Sequence, residues 1–101
     1  MILYNSTTKI DLTHAQDWMA WQRREQIPQI MKTGLFEGHQ MFRLLHQDDT
    51  EGYTYVIQFR AGDMTHYENF CQDHRSRFNR QTDEKWRAHY VCFESVMELV
   101  Q

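Results

Sequence analysis

The side chains best suited to proton transfer, nucleophilic attack or metal ligation are six histidines, at 14, 39, 46, 66, 74 and 89, and two cysteines, Cys71 and Cys92. A zinc site needs three or four ligands, commonly drawn from closely spaced pairs. Cys71 and His74 are the one pair at such a spacing, and no second pair accompanies them. Both fall within the apolar stripe of a predicted helix, where a small Cys packs as a hydrophobe. The spacing therefore predicts no metal site and no cofactor. His39 and His46 have opposite parity on a predicted strand and must face opposite ways. For general acid–base work the candidates are His66 or His74 with Tyr67 or a carboxylate, but no spacing selects a pair. The sequence has neither a glycine-rich phosphate loop nor a nucleophile motif.

The densest stretch is WMAWQRREQIPQIMKTGLF, residues 18–36. Trp18 and Trp21 fall on one helix face, and burying each contributes on the order of 2–3 kcal/mol. They read first as core and second as pocket walls. By position, Tyr4, Trp18, Trp21, Tyr55 and His74 are the expected liners of a space between sheet and helices that takes a small apolar or aromatic ligand. The run Gln22-Arg23-Arg24-Glu25-Gln26 reads as the wet side of the helix and its frayed end.

These residues must be held by one domain spanning 1–101, an ordinary size. The aromatic share of 14% is high enough to build a core from rings. A net charge of −3 argues against a chain whose main partner is nucleic acid. The two cysteines make no disulfide framework, the first ten residues lack the pattern of a signal peptide, and no apolar run reaches membrane-spanning length. The expectation is a soluble, cytoplasmic protein.

The expected elements run as follows. A strand occupies residues 1–10. A helix starts with Thr13 and Gln16 at capping-box spacing and runs to about Gln26. Pro28 ends that helix and opens a short second one, which Gly34 terminates in the left-handed region. A strand at 36–48, a turn at 49–52 and a strand at 53–61 form a hairpin. Asp63 or Thr65 caps a long helix with the stripe Met64, Tyr67, Phe70, Cys71, His74 and Phe78. A last strand covers 88–100. The order β-α-β-β-α-β predicts an α+β, ferredoxin-like fold: a four-stranded antiparallel sheet with two helices on one face.

The predicted strands are apolar on both faces. In the last one, Val91, Phe93, Met97 and Leu99 share one side while Tyr90, Cys92 and Val96 share the other. A sheet with one wet face should alternate cleanly. The open face is therefore expected to pair with a second copy, giving a homodimer of the α+β barrel type.

Ile27-Pro28, followed by Thr33-Gly34-Leu35-Phe36, together with GYTYVIQF and the closing YVCFESVMELV, resembles a family of short bacterial proteins described as a domain of unknown function. That family resembles dimeric α+β barrels, the class that includes the antibiotic-biosynthesis monooxygenases. The resemblance implies fold and dimer rather than an activity, so the function reads as unknown and a monooxygenase-like enzyme is the first alternative. Gln26 stands where the family usually has His, and it can replace that residue's hydrogen bonding but not its proton chemistry. The haem-degrading branch of the class pairs a strand-1 Asn and a helix-2 His with a Trp. Asn5 and His74 stand in about those places, with Met64 in place of the Trp.

The second alternative is RNA binding. EGYTYVIQ (51–58) runs alongside the strand signature of RNA-recognition modules, with Tyr53 and Tyr55 at aromatic positions. Glu51 places the wrong charge there. The basic residues Arg75, Arg77, Arg80, Lys85 and Arg87 lie on the second helix and beyond, where Asp73–Arg77 and Arg80–Glu84 spacings suggest ion pairs.

Overall fold

Strand β1 (Ile2–Asp11) lies at the centre of the molecule. In a computed structural model describing residues 1–101, it pairs antiparallel with β3 (Gly52–Ala61), from Ile2↔Ala61 to Asp11↔Gly52, and with β4 (Tyr90–Glu98), from Ile2↔Glu98 to Ile10↔Tyr90. Strand β2 (Gly38–Arg43) adds to the far side of β3, giving the order β2-β3-β1-β4. The helices cover one face, so the fold is α+β and ferredoxin-like. None of them is long and apolar enough to cross a membrane.

Side-chain alternation decides which residues meet the helices. From β1 these are Ile2, Tyr4, Thr8 and Ile10, and from β3 Ile57, Phe59 and Ala61, all buried. Tyr4 sits in the middle of an aromatic cluster, with ring centroids 6.1 Å from Phe36, 6.0 Å from Phe59, 5.6 Å from Tyr67 and 5.5 Å from Phe70. The opposite face of β1 presents Asn5 and Thr7.

The first helical arm departs from expectation at both its start and its middle. Asp11, not Thr13, is the cap: its Oδ1 accepts the His14 backbone N–H at 2.9 Å and lies 2.6 Å from His14 Nδ1. A 3-10 turn, Leu12–His14, then leads into α1 (Ala15–Trp21). Asp63 caps the next helix in the same way, with His66 N at 2.9 Å and Nδ1 at 2.6 Å. The two starts share the spelling Asp-Leu/Met-Thr-His. Hydrogen bonds from the His14 side chain and the His66 backbone hold the Asp11 and Asp63 carboxyls below the usual carboxylate range.

Pro28 does not break the arm. Gln22–Gln26 form a π-helical turn in which the Ile27 N–H bonds to the Gln22 carbonyl, five residues back, and α2 (Ile27–Met31) follows directly. Proline has no N–H and crowds the carbonyl four residues before it. The wider turn carries the hydrogen-bond ladder past that position. Gly34 then stops the arm at φ 75°, as its place in the sequence predicts.

Three other boundaries move. Strand β2 covers only six residues rather than 36–48. Phe36 enters the core ahead of it, and His46, at φ 59°, turns the chain within a longer connection that Asp48 braces through the Thr50 N–H and hydroxyl. The second helix divides at His74 (φ −133°) into α3 (Met64–Asp73) and α4 (Arg75–Trp86). The 3-10 turn Arg87–His89 delays β4 to Tyr90.

Gly52 is required where β1 and β3 end together, because a Cβ there would collide with the Ile10 carbonyl oxygen. At Gly38 the obstacle is only the mobile end of Arg60. Gly52→Ala should therefore cost about 1–3 kcal/mol in urea unfolding, and Gly38→Ala less than about 1 kcal/mol.

Candidate functional site

A cavity of about 620 Å³ lies beneath α4 and over β1 and the edge strand β4. That volume is within the range of small-molecule sites, roughly 300–1,000 Å³. Its floor is Tyr4, Ser6 and Thr8 of β1 with Ile57 and Phe59 of β3. Phe70, Arg75, Phe78, Asn79 and Thr82 form the roof, residues 90–94 of β4 the outer wall, and Gln22, Gln26 and Ile30 the inner end.

The inner end exists because of the π-turn. Gln22 and Gln26 are both buried, whereas Arg23, Arg24 and Glu25 between them are exposed, so only the middle of this run is the wet side of the helix. Gln22 Nε2 donates to Gln26 Oε1 at 2.8 Å, and Gln26 Nε2 donates to Thr82 Oγ1 at 2.7 Å and to the Phe78 carbonyl at 3.3 Å. This relay leaves Gln22 Oε1 buried with no protein partner. Leaving such an acceptor unpaired costs about 1–3 kcal/mol, a penalty that a ligand donor reaching this end would remove. Gln26 thus makes the hydrogen bonds of a side chain that joins the first helical arm to α4, and it moves no proton.

The other end is ionic. Glu94, whose side chain is only 14% exposed, forms an ion pair with Arg75. Burial, and then the Glu94 carboxylate, push the Tyr4 phenol well above its ordinary range. Tyr90 donates to Asp83 Oδ1 at 3.2 Å, and burial followed by this bond raises its phenol to about 12. Tyr67 is raised to about 12 by burial and by its neighbour Cys71. These phenols therefore stay protonated at neutral pH. The lining combines apolar rings with hydrogen-bonding side chains and the charged groups Arg75, Asp83, Arg87 and Glu94.

Of the five expected pocket residues, only Tyr4 lines this cavity. Trp18 is fully buried and stacks on half-buried Tyr55 at 5.4 Å. Trp21 lies edge-to-face with Trp86 at 5.8 Å and borders a separate cleft with Gln81, Glu84 and Lys85. His74 stacks on Phe70 at 6.2 Å and accepts from Arg77 Nη2 at 3.1 Å. Asn5 and His74 lie on opposite sides of the sheet, so the haem-degrading pair is not assembled. Tyr53 and Tyr55 turn toward the helices, leaving Thr54 and Val56 on the open face, so the aromatic platform of an RNA-recognition module is not formed. Arg77 lies over the Phe78 ring at 4.7 Å rather than pairing with Asp73. Gln22, Gln26 and Thr82 were missed as site residues. The signal that could have found two of them is the four-residue step Trp18-Gln22-Gln26, which keeps both amides on the buried face.

Gln26→Leu should destabilise the protein by about 1–3 kcal/mol in urea unfolding, because it strands the Gln22 amide. Alkaline titration followed by phenolate absorbance should show late-ionising tyrosines, and Tyr90→Phe should remove one of them. Tyr90 and Tyr67 favour the neutral form when folded. Their contribution to stability is intact below pH 10, the ordinary phenol value, and is lost as pH rises toward 12.

Solved structures with the same fold share little sequence with this chain. A dimeric ferredoxin-like protein from an uncultured marine organism superposes with a TM-score of 0.70 at 12% identity, covering 99% of this chain and 95% of that one. SnoaB, a cofactor-independent oxygenase from Streptomyces nogalater, gives 0.65 at 11% identity over 99% and 94%. An antibiotic biosynthesis monooxygenase gives 0.62 at 16% identity over the full length of both chains. Comparison with curated protein sequences finds no match. At the level of sequence, residues 1–100 match one family throughout, and the chain belongs to it: the domain of unknown function DUF4286.

Proposed function

We propose that residues 1–101 act as one cytoplasmic domain that binds a small, largely aromatic or apolar molecule and works as a homodimer paired through the open sheet face. The observation that carries the binding reading is the cavity itself. An apolar body fits between Ile57, Phe59, Phe70 and Phe78, and a hydrogen-bond donor on it reaches Gln22 Oε1. The oxygenase and monooxygenase activities named for two of the neighbours belong to those proteins. Binding requires nothing of this chain beyond the groups already in the lining.

Several features support pairing. The open face exposes Phe42, Leu44, Val91, Phe93, Met97 and Leu99, with Val91 68% and Phe93 66% exposed. The molecule is a slab 19 Å thick, about one sheet and one helix layer. Its accessible surface of 6572 Å² exceeds the roughly 6,100 Å² usual for a monomer of this mass. Both cysteines are free, as suits a reducing compartment.

Light scattering should give about twice 12.4 kDa. Phe93→Asp should yield a folded monomer, and a wild-type monomer would overturn the pairing. Anilinonaphthalene sulfonate should bind near one per chain. Ser6→Phe, which fills the cavity floor, should abolish that binding with the circular dichroism unchanged. Binding that survives Ser6→Phe but is lost in Phe93→Asp would place the probe on the open face and overturn the cavity reading.

A further inference from the structure

Asp11, His14 and His89 come together from opposite ends of the sequence. Oδ1 of Asp11 lies 2.6 Å from His14 Nδ1 and its Oδ2 lies 2.9 Å from His89 Nδ1. The two imidazoles are 3.8 Å apart between centroids, tilted by 31°. One ligand atom from each residue can be chosen so that all lie within 4.8 Å of one another. We propose that these three side chains form a binding site for a divalent transition-metal ion of the zinc type.

The plain alternative is a helix cap with a hydrogen-bonded neighbour, and the chain contains its own comparison. Asp63 and His66 make the same cap, with the same two distances, and no second histidine joins them. Capping therefore accounts for Asp11 and His14 but not for His89, which the turn Arg87–His89 brings to the other carboxylate oxygen. Two imidazoles and one carboxylate form a donor set that suits zinc, cobalt or nickel rather than magnesium or calcium. With bonds near 2.1 Å, tetrahedral ligand atoms stand roughly 3.4 Å apart. Whichever carboxylate oxygen ligates, the imidazole beside it must open by less than about 1 Å, and the other imidazole must turn from the second oxygen to the ion.

The proton balance is simple. Asp11 offers a carboxylate oxygen, the form in which this side chain ligates a metal. Each ring would ligate through Nδ1 in its neutral form, with its one proton on Nε2. The side chains of His14, Asp11 and His89 are 32%, 35% and 46% exposed, so water has access to complete the coordination. Linear spacing could not announce this set, because 75 residues separate His14 from His89. An ion held here would tie the start of the first helical arm to the turn that leads into β4. Arg87 and Tyr90, on either side of His89, line the cavity, so the ion would also brace its rim.

Untagged, chelator-treated protein should be titrated with Zn²⁺ by calorimetry and with Co²⁺ by visible absorption, and Tm should be measured with and without each ion. The expected result is one ion per chain and a raised Tm. His89→Gln keeps a hydrogen-bonding side chain beside Asp11 and removes the imidazole. It should weaken binding at least tenfold with unchanged circular dichroism, while His66→Ala should bind like the wild type. His89→Ala should repeat the loss. Wild-type protein that takes up neither ion, or His89 variants that bind as tightly as wild type, would overturn the site.

Discussion

One buried phenol joins the layers of this protein. Tyr4 sits at mid-length on the central strand, in contact with rings from the loop before β2, from β3 and from α3, and it also forms the cavity floor beside the Arg75–Glu94 pair. Aromatic pairs of this kind add about 0.5–1.5 kcal/mol each beyond burial, so one side chain holds several elements at once. The strand position that carries Tyr4 also fixes the parity of β1. Once Tyr4 points inward, Ser6 and Thr8 must follow it, and Asn5 and Thr7 must take the other face.

The cavity is a compromise within that arrangement. A core packed to full density would have no room beneath α4 and no lone amide oxygen at its end. Here the aromatic cluster packs tightly on the β1–β3 side and the space opens toward β4, whose residues are mostly exposed. Stability is concentrated where α3 and the first helical arm meet the sheet. The space lies on the side where the packing is thin, with the Gln22–Gln26 relay at one end and the Arg75–Glu94 pair at the other.

Much of the fold was legible in the sequence because it depends on alternation and on turn chemistry. The strand of 53–61, the left-handed Gly34 and the Asp63 cap follow from local rules that tertiary structure had no reason to override. The misplaced boundaries lie where two local rules compete. Asp11 captures the helix start before Thr13 can, and the Asp48 brace shortens β2. The site was far less legible. Trp18 and Tyr55 are the sort of residues expected in a pocket, and they pack against each other instead. The polar groups that line the cavity include two glutamines, a serine and two threonines, whose types give no warning of burial. Gln22 and Gln26 become legible only through their four-residue steps from buried Trp18.

The continuity of the first helical arm through Pro28 fixes a rotational phase. Each residue advances a regular helix by about 100°, and the π-turn holds one residue more than a regular turn would. Losing a single residue between Trp21 and Ile27 would make the ladder uniform. The wide turn absorbs the extra residue, so Ile27 and Ile30 would stay in phase with Trp18; forcing regular α geometry on the present count would instead swing them about a quarter-turn off the sheet. The wide turn is thus what keeps the buried tryptophan and the isoleucines after it on one face at this residue count.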